Sequence, residues 1–305
     1  MPGKSKKKKN PMRRAETRAA YLMLTPSIIG LTLITYLPLL AVFIIGLFKW
    51  NGLSAPEFVG AANFVRLFTK DPYFYDSVKV TIYFALIAVV GSIVWSMFIA
   101  LLLNRKVPAR GFFRAVFYVP YVLPAMAVYL GWSWLYDYNH GFFNYVLTKL
   151  GGSKIMFLEN PNMVVPSLAL ITVWLAGNLI VIFLAGLQNV PRIYYEAAEI
   201  DGANAWQRFW KITLPCMTPI IFYNMLMALI ASLQVVPPSL ALTSGGPGNS
   251  STFMSYLIYR YAFIGTGKLG YASAIAAVFF VLVGIFTAII FASSRMWVFY
   301  MGDDE

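Results

Sequence analysis

A chain of 305 residues with 59% hydrophobic residues, 12% charged and mean hydropathy +0.68 lies far from soluble globular composition, where about a quarter of residues are charged. It is an integral membrane protein by composition. The net charge of +12 raises nucleic acid as a partner, yet the basic residues crowd at the N-terminus and in alternate loops with no stacking groove implied, so no nucleic acid is expected.

In chain order, residues 1–20 form a basic leader containing Lys4, Lys6 to Lys9, Arg13, Arg14 and Arg18. A secretory signal would follow such a leader with an apolar stretch of about 7–15 residues, but the run from about Tyr21 to Phe48 is much longer, so it is expected to be retained as a span. The lysines read as a topology determinant, with contact to membrane lipid or nucleic acid left open beside it. Five further runs of about 20 apolar residues lie near Val80–Leu103, Ala115–Tyr136, Val165–Gln188, Cys216–Val236 and Tyr271–Phe291. Residues 21–305 are therefore expected to form one all-α integral membrane domain of six transmembrane helices.

Charge sets the expected orientation. The eight basic residues of the leader fall on the same side as Arg105, Lys106, Arg110, Arg114, Arg192, Arg208, Lys211 and Arg295. The positive-inside rule puts that side, and both N and C termini, in the cytoplasm. The outward connections, Lys49–Lys79, Asp137–Val164 and Pro237–Gly270, are the longer ones and carry turn residues such as Asn51-Gly52 and Gly151-Gly152.

None of the six runs contains Asp, Glu, Lys, Arg or His, which argues against an ion relay within the membrane. An ion- or proton-coupled secondary transporter of a small polar solute stays the alternative. Neutral polar groups do occur: Asn224, Ala228, Ala231 and Ser232 lie at i, i+4, i+7 and i+8, with Gln234 to the other side, and Asn178 lies in the fourth run. Amides suit hydroxylated, uncharged solutes and equally serve as glue between helices, so Asn178, Asn224, Ser232 and Gln234 are pathway candidates by polarity alone. Ala88, Ser92, Ser96 and Ala100 repeat every four residues, the pattern of close helix packing.

Several catalytic signals fail. Gly265-Thr266-Gly267-Lys268 lacks the earlier Gly of a phosphate loop, and Leu269 replaces the magnesium-holding Ser or Thr. Glu196 and Glu199 have no nucleophile or histidine beside them. A single cysteine, Cys216, and a lone His140 exclude an intramolecular disulfide and a zinc cluster. Neither catalytic nor metal residues are expected, and no enzyme.

The segment between the fourth and fifth runs, residues 191–215, is the most informative. Pro191 suits a first helical turn, the residues to Ile200 run without a breaker, and Asp201-Gly202 stops the helix because Gly tolerates the left-handed conformation. Asn204 with Gln207 forms a capping-box pattern for a second helix, and Pro215 is expected to forbid its continuation. Trp206, Phe209, Trp210 and Thr213 share one face, with Gln207, Arg208 and Lys211 on the other. Helix, hinge, helix is the expectation.

Glu196-Ala197-Ala198, three residues, Gly202, nine residues, Ile212, one residue, Leu214-Pro215 resembles the cytoplasmic "EAA" loop of the membrane subunits of binding-protein-dependent ABC importers. Leu24-Thr25-Pro26-Ser27, Tyr36-Leu37-Pro38-Leu39, Phe58-Val59-Gly60 with Asn63-Phe64, Asp71-Pro72, and Leu242 to Gly248 followed by Tyr259-Arg260 are similar to the sugar-permease branch, the subunits for maltose, oligosaccharides and glycerol 3-phosphate. Ser244, where Gly is frequent, is a mild departure. The resemblance implies a type I ABC importer permease fold in a bacterial or archaeal cytoplasmic membrane. Its partners would be ABC ATPase subunits, a second homologous permease, an external solute-binding protein and a sugar. It implies no cofactor on this chain, ATP and magnesium belonging to the ATPase. Glu196, Ala197, Ala198, Asp201 and Gly202 would form the helix that docks on that ATPase, with Ile212, Leu214 and Pro215 joining it to the fifth span.

Overall fold

The computed structural model describes residues 11–105, 108–264 and 267–299, with side chains from residue 16 onward. The lysine run, Lys106, Gly265 and Thr266 lie outside the described residues. The first span combines α1 (Pro11–Leu31) and α2 (Leu37–Ile45) through a π-helical turn at Thr32–Tyr36. The leader's described part is thus helical and continuous with the span. A two-residue hairpin, β1 (Phe48–Lys49) and β2 (Glu57–Phe58), leads to α3 (Ala62–Thr69) and the second span, α4 (Phe74–Asn104).

The third and fourth spans are both broken. α5 (Arg110–Val122) and α6 (Ala125–Leu135) meet at 100°, and α8 (Val164–Trp174) and α9 (Gly177–Asn189) at 50°, with α7 (Phe142–Lys149) between the pairs. Pro124 explains the first break, since it drives Leu123 into the extended region with ψ 146°. At the second, the Ala176 carbonyl opens α9 by accepting from Leu179 N–H at 3.1 Å, and the Ser96 hydroxyl of α4 donates to it as well at 3.2 Å, tying the break to the second span. The spans expected as Ala115–Tyr136 and Val165–Gln188 are therefore each two helices.

α10 (Arg192–Ile200), α11 (Ala205–Arg208), a π-helical turn at Phe209–Thr213 and α12 (Leu214–Leu233) follow. Pro215 does not end the helix, which corrects the expectation. The wider turn ahead of it passes the Leu214 N–H back to the Phe209 carbonyl, and the helix runs on despite the missing N–H at Pro215. The first span repeats the device, with Leu37 N–H on the Thr32 carbonyl immediately before Pro38. After a third π-turn at Ser239–Thr243 come α13 (Met254–Phe263) and the sixth span, α14 (Leu269–Trp297).

Among the described residues, four continuous helical stretches and two bent pairs thus make up to six spans. α4 is the central post, packed against α8, α9 and α12, and it meets them through the small-residue stripe, Ala88, Ser92, Ser96 and Ala100 all being buried. One core lies around Phe84, Tyr136 and Phe253, another around Phe183, Leu187 and Met217 near the α10–α11 segment, and a third around Leu67, Leu257 and Ile275. The connections expected to face outward are more ordered than their turn residues suggest, since α3, α7 and α13 lie in them.

α14 approaches β1 closely. The Gly270 N–H donates to the Trp50 carbonyl at 3.0 Å, and a Cβ on Gly270 would collide with the Phe48 carbonyl. Gly270→Ala is expected to lower stability by about 1–3 kcal/mol, because backbone has to move to relieve the clash. Thermal unfolding of the detergent-solubilised chain measures it, and an unchanged midpoint would contradict the close contact.

Candidate functional site

The segment 191–215 folds as a closed helix-turn-helix at one end of the spans. Pro191 sits just before α10 with extended geometry, where its missing N–H costs nothing. Gly202 ends α10 at φ +73°, with the Ala203 N–H on the Ala198 carbonyl at 2.8 Å and the Gly202 N–H on the Glu199 carbonyl at 3.1 Å. That pair of bonds is a Schellman closure. The capping box forms as the spacing predicts: Gln207 N–H donates to Asn204 Oδ1, and Asn204 N–H to Gln207 Oε1, both at 2.9 Å.

Two further contacts tie the helices to each other. Arg208 pairs with Glu199 across the turn, and Tyr195 Oη shares a hydrogen bond of 2.9 Å with the buried Thr213 Oγ1. Tyr195, Phe209 and Ile212 pack on the core around Phe183 and Met217. The second helix therefore divides its aromatic face: Phe209 turns inward, while Trp206 and Trp210 stay exposed at the level where interfacial aromatics are found.

On α10, Glu196, Ala197 and Asp201 are exposed and Ala198 is half-buried. Among the described residues neither Glu196 nor Asp201 has a basic side chain within ion-pair distance, and Ile200 at the tip is 88% exposed. A small apolar and acidic surface is left free beside a latched hinge. A cleft of about 490 Å³ separates α10 from the start of α12, lined by Ala198, Asp201, Lys211, Ile212 and Pro215 and closed by Phe299, whose N–H donates to Thr218 Oγ1 at 2.8 Å. Leu214 and Pro215 are half-buried where the turn enters the fifth span.

The polar pathway candidates do not share one surface. Asn224 is fully buried with neither amide atom hydrogen-bonded, and Ser232 is buried as well. Gln234 is exposed and reaches a groove between α2 and α14 lined by Val42, Phe43 and Phe280, while Ala231 is exposed and Asn178 is half-buried just past the break of the fourth span. The broad polar face expected on the fifth helix is thus split between the protein interior and its outside.

A second polar centre escaped sequence reasoning. Asp71, 8% exposed, accepts four hydrogen bonds: from the N–H groups of Tyr73 and Phe74 at 2.8 and 3.0 Å, and from the hydroxyls of Tyr261 and Tyr271 at 2.8 and 2.6 Å. It joins the start of α4 to α13 and α14. Burial, then the hydrogen bond to Asp71, push the Tyr261 hydroxyl above its usual pKa, so it stays a donor at neutral pH. Arg260 lies over the Tyr73 ring at 4.3 Å and donates to Asn249, next to the Gly-rich turn at Gly245–Gly248. The only sequence signal was the Asp-Pro pair ahead of a span.

Up to six apolar spans among the described residues, one of them the central post α4, with a latched helix-turn-helix projecting from one end, define a membrane-embedded transport subunit of the type I ABC importer permease fold. The chain belongs to the family described as binding-protein-dependent transport system inner membrane component, whose model matches residues 92–294. It is 36% identical over 302 residues to the probable ABC transporter permease protein YesP of Bacillus subtilis, covering 98% of this chain and 97% of that one. It is 33% identical to the trehalose/maltose transport system permease protein MalF of Thermococcus litoralis, over 90% of this chain and 92% of that one. It is 38% identical to the multiple sugar-binding transport system permease protein MsmF of Streptococcus mutans, over 78% and 81%. A chain of a bacterial alginate ABC transporter, solved with an alginate pentasaccharide-bound periplasmic protein, superposes with TM-score 0.76 at 24% identity, covering 92% of this chain and 95% of that one. That likeness supports the fold.

Proposed function

We propose that this chain, with a second homologous permease subunit, forms the membrane pathway for a sugar or oligosaccharide delivered by an external solute-binding protein, and that separate ATPase subunits drive it. The observation that carries the coupling half is the free surface of Glu196, Ile200 and Asp201 on a helix latched to its span. The sugar half rests on relatives named for trehalose, maltose and multiple sugars. With the coupling turn in the cytoplasm, as the basic loops favour, α10 docks on the ATPase. ATP and magnesium belong to that partner, and this chain catalyses nothing itself. ATP-driven closure pulls α10, and through it the fifth span, so that the pathway alternates between inward- and outward-facing states. Asn224 is the favoured pathway residue on this reading: an amide with no partner in one state is free to meet water or a hydroxylated solute in the other.

Co-purification from the native membrane followed by mass spectrometry tests the assembly. Recovery of an ABC ATPase and a second permease is expected; recovery of the chain alone, active in vesicles under an ion gradient, would replace this reading with a carrier.

The latch makes a separate prediction. No residue of α10 is fully buried, so beside the packing of Tyr195 on the core, the Arg208–Glu199 pair and the Tyr195–Thr213 bond connect it to the second helix of the turn. Arg208→Glu is expected to lower sugar uptake per ATP hydrolysed by about tenfold through like-charge repulsion with Glu199, with the ATPase still bound, and the double exchange Glu199→Arg/Arg208→Glu to recover most of it. Absence of recovery in the exchange would show that the pair does not act as a unit.

A further inference from the structure

At the opposite end of the spans from α10, three elements enclose a cleft of about 580 Å³: the β1–β2 hairpin, α3 and the start of α14. Its walls are firmly built. Asn51 Oδ1 accepts from Leu53 N–H, Ser54 N–H and Ser54 Oγ at 2.9 to 3.0 Å, the Trp50 indole donates to the Ser54 carbonyl at 2.7 Å, and Asn63 Nδ2 donates to the Gly46 and Phe48 carbonyls at 2.9 Å. No side-chain rearrangement is needed to open it.

Its charge is unbalanced. Lys49, Arg66 and Lys268 line the cleft against one carboxylate, Glu57, which Lys49 already engages at 3.2 Å. Among the described residues Arg66 and Lys268 have no carboxylate within ion-pair distance, and the Arg66 guanidinium lies 4.7 Å above the Tyr271 ring. A cation–π contact of this kind holds the guanidinium at the cleft wall, and a guanidinium carries several N–H donors suited to phosphate oxygens.

Depth decides which phosphate. The first span ends at Ile45 and the sixth begins at Leu269, so the cleft stands immediately outside the hydrocarbon layer, with Trp50 and Tyr271 at its wall. Seven, eleven and fourteen residues beyond Tyr271, on the same face of α14, Val278, Leu282 and Ile285 line an apolar groove of about 610 Å³ together with Phe64 and Phe68 of α3. At 1.5 Å per residue this groove starts about 10 Å deeper in the bilayer. α3 is amphipathic between the two, presenting Arg66 to the cleft and Phe64 and Phe68 to the groove.

We propose that this is a binding site for one anionic phospholipid of the leaflet opposite the coupling turn, its headgroup phosphate held by Arg66 and Lys268 and its acyl chain laid along α14. Such a lipid clamps the outer ends of the first and sixth spans together through α3.

The test reconstitutes the full chain in nanodiscs of phosphatidylcholine mixed with phosphatidylglycerol and reads retained lipid by native mass spectrometry. One phosphatidylglycerol is expected to survive release, and Arg66→Gln or Lys268→Gln to reduce its retention about tenfold, the scale of one charge-assisted contact. Lys70→Gln, at the exposed end of α3 outside the cleft, is expected to leave retention unchanged. Equal retention of the two lipids, or equal retention by the wild type and Lys268→Gln, overturns the site. If glycerol 3-phosphate binds the detergent-purified chain with the same dependence on Arg66 and Lys268, the site takes free phosphates and the lipid assignment is wrong. Lys268 is exposed, so its variant carries the test even if Arg66→Gln fails to fold.

Discussion

Gly202→Pro is expected to abolish coupled uptake, by about a hundredfold or more, while leaving the six spans inserted. Gly202 sits at φ +73°, whereas proline holds φ near −65°, and its N–H is one of the two bonds closing α10. The closure cannot form, so α10 loses the angle at which Glu196, Ile200 and Asp201 face outward. A penalty of about 3 kcal/mol on the docking geometry corresponds to roughly a hundredfold in occupancy of the coupled complex. Gly202→Ala meets no neighbouring atom within 4 Å, and its cost comes only from the left-handed backbone, about 1–2 kcal/mol, or roughly tenfold. Co-purification of the ATPase and uptake into vesicles are measured side by side for both variants. If Gly202→Pro retains both activities, the coupling role of 191–215 is wrong, whichever solute is carried.

The second large effect is expected at the other end of the molecule. Asp71→Ala leaves two backbone N–H groups and two tyrosine hydroxyls without their acceptor, at a cost of about 3–5 kcal/mol after partial relaxation to water. Tyr261→Phe and Tyr271→Phe each remove one donor and are expected to cost about 1 kcal/mol. Asp71→Asn is expected to recover about half of this, since its Oδ1 can still accept from Tyr73 and Phe74 N–H while its amide nitrogen cannot accept from the Tyr261 and Tyr271 hydroxyls. Thermal unfolding in detergent reads this directly. An Asp71→Ala chain that melts with the wild type would mean that apolar packing and the bond from Met254 N–H to Thr81 Oγ1 hold α4, α13 and α14 together without it.

The candidate site and this node differ in how they are encoded. Around Gly202 the hinge, the Schellman closure and the Asn204–Gln207 box depend on residues within a few positions of one another, so spacing alone reveals them. The Glu199–Arg208 pair joins residues nine apart across a turn, and its charges first read as an unsupported carboxylate and a polar helix face. Nothing in the chain signals that the turn would bring them together. The Asp71 node is more remote still, with Tyr261 and Tyr271 lying 190 and 200 residues away.

By itself the sequence determined the membrane class, the six apolar runs, the basic side and the helix-hinge-helix of 191–215, because hydropathy, capping and breaker chemistry are local properties of short stretches. Only the tertiary structure decided that the third and fourth runs break at Leu123 and Ala176, that Pro38 and Pro215 stay inside continuous helices, and that Asn224 is enclosed while Gln234 faces out. Each of those outcomes depends on what lies across from the residue. The Ala176 carbonyl at the second break takes a further hydrogen bond from Ser96 of another span, a wider turn absorbs a proline, and an amide on α12 is buried or bare according to which helix packs against it.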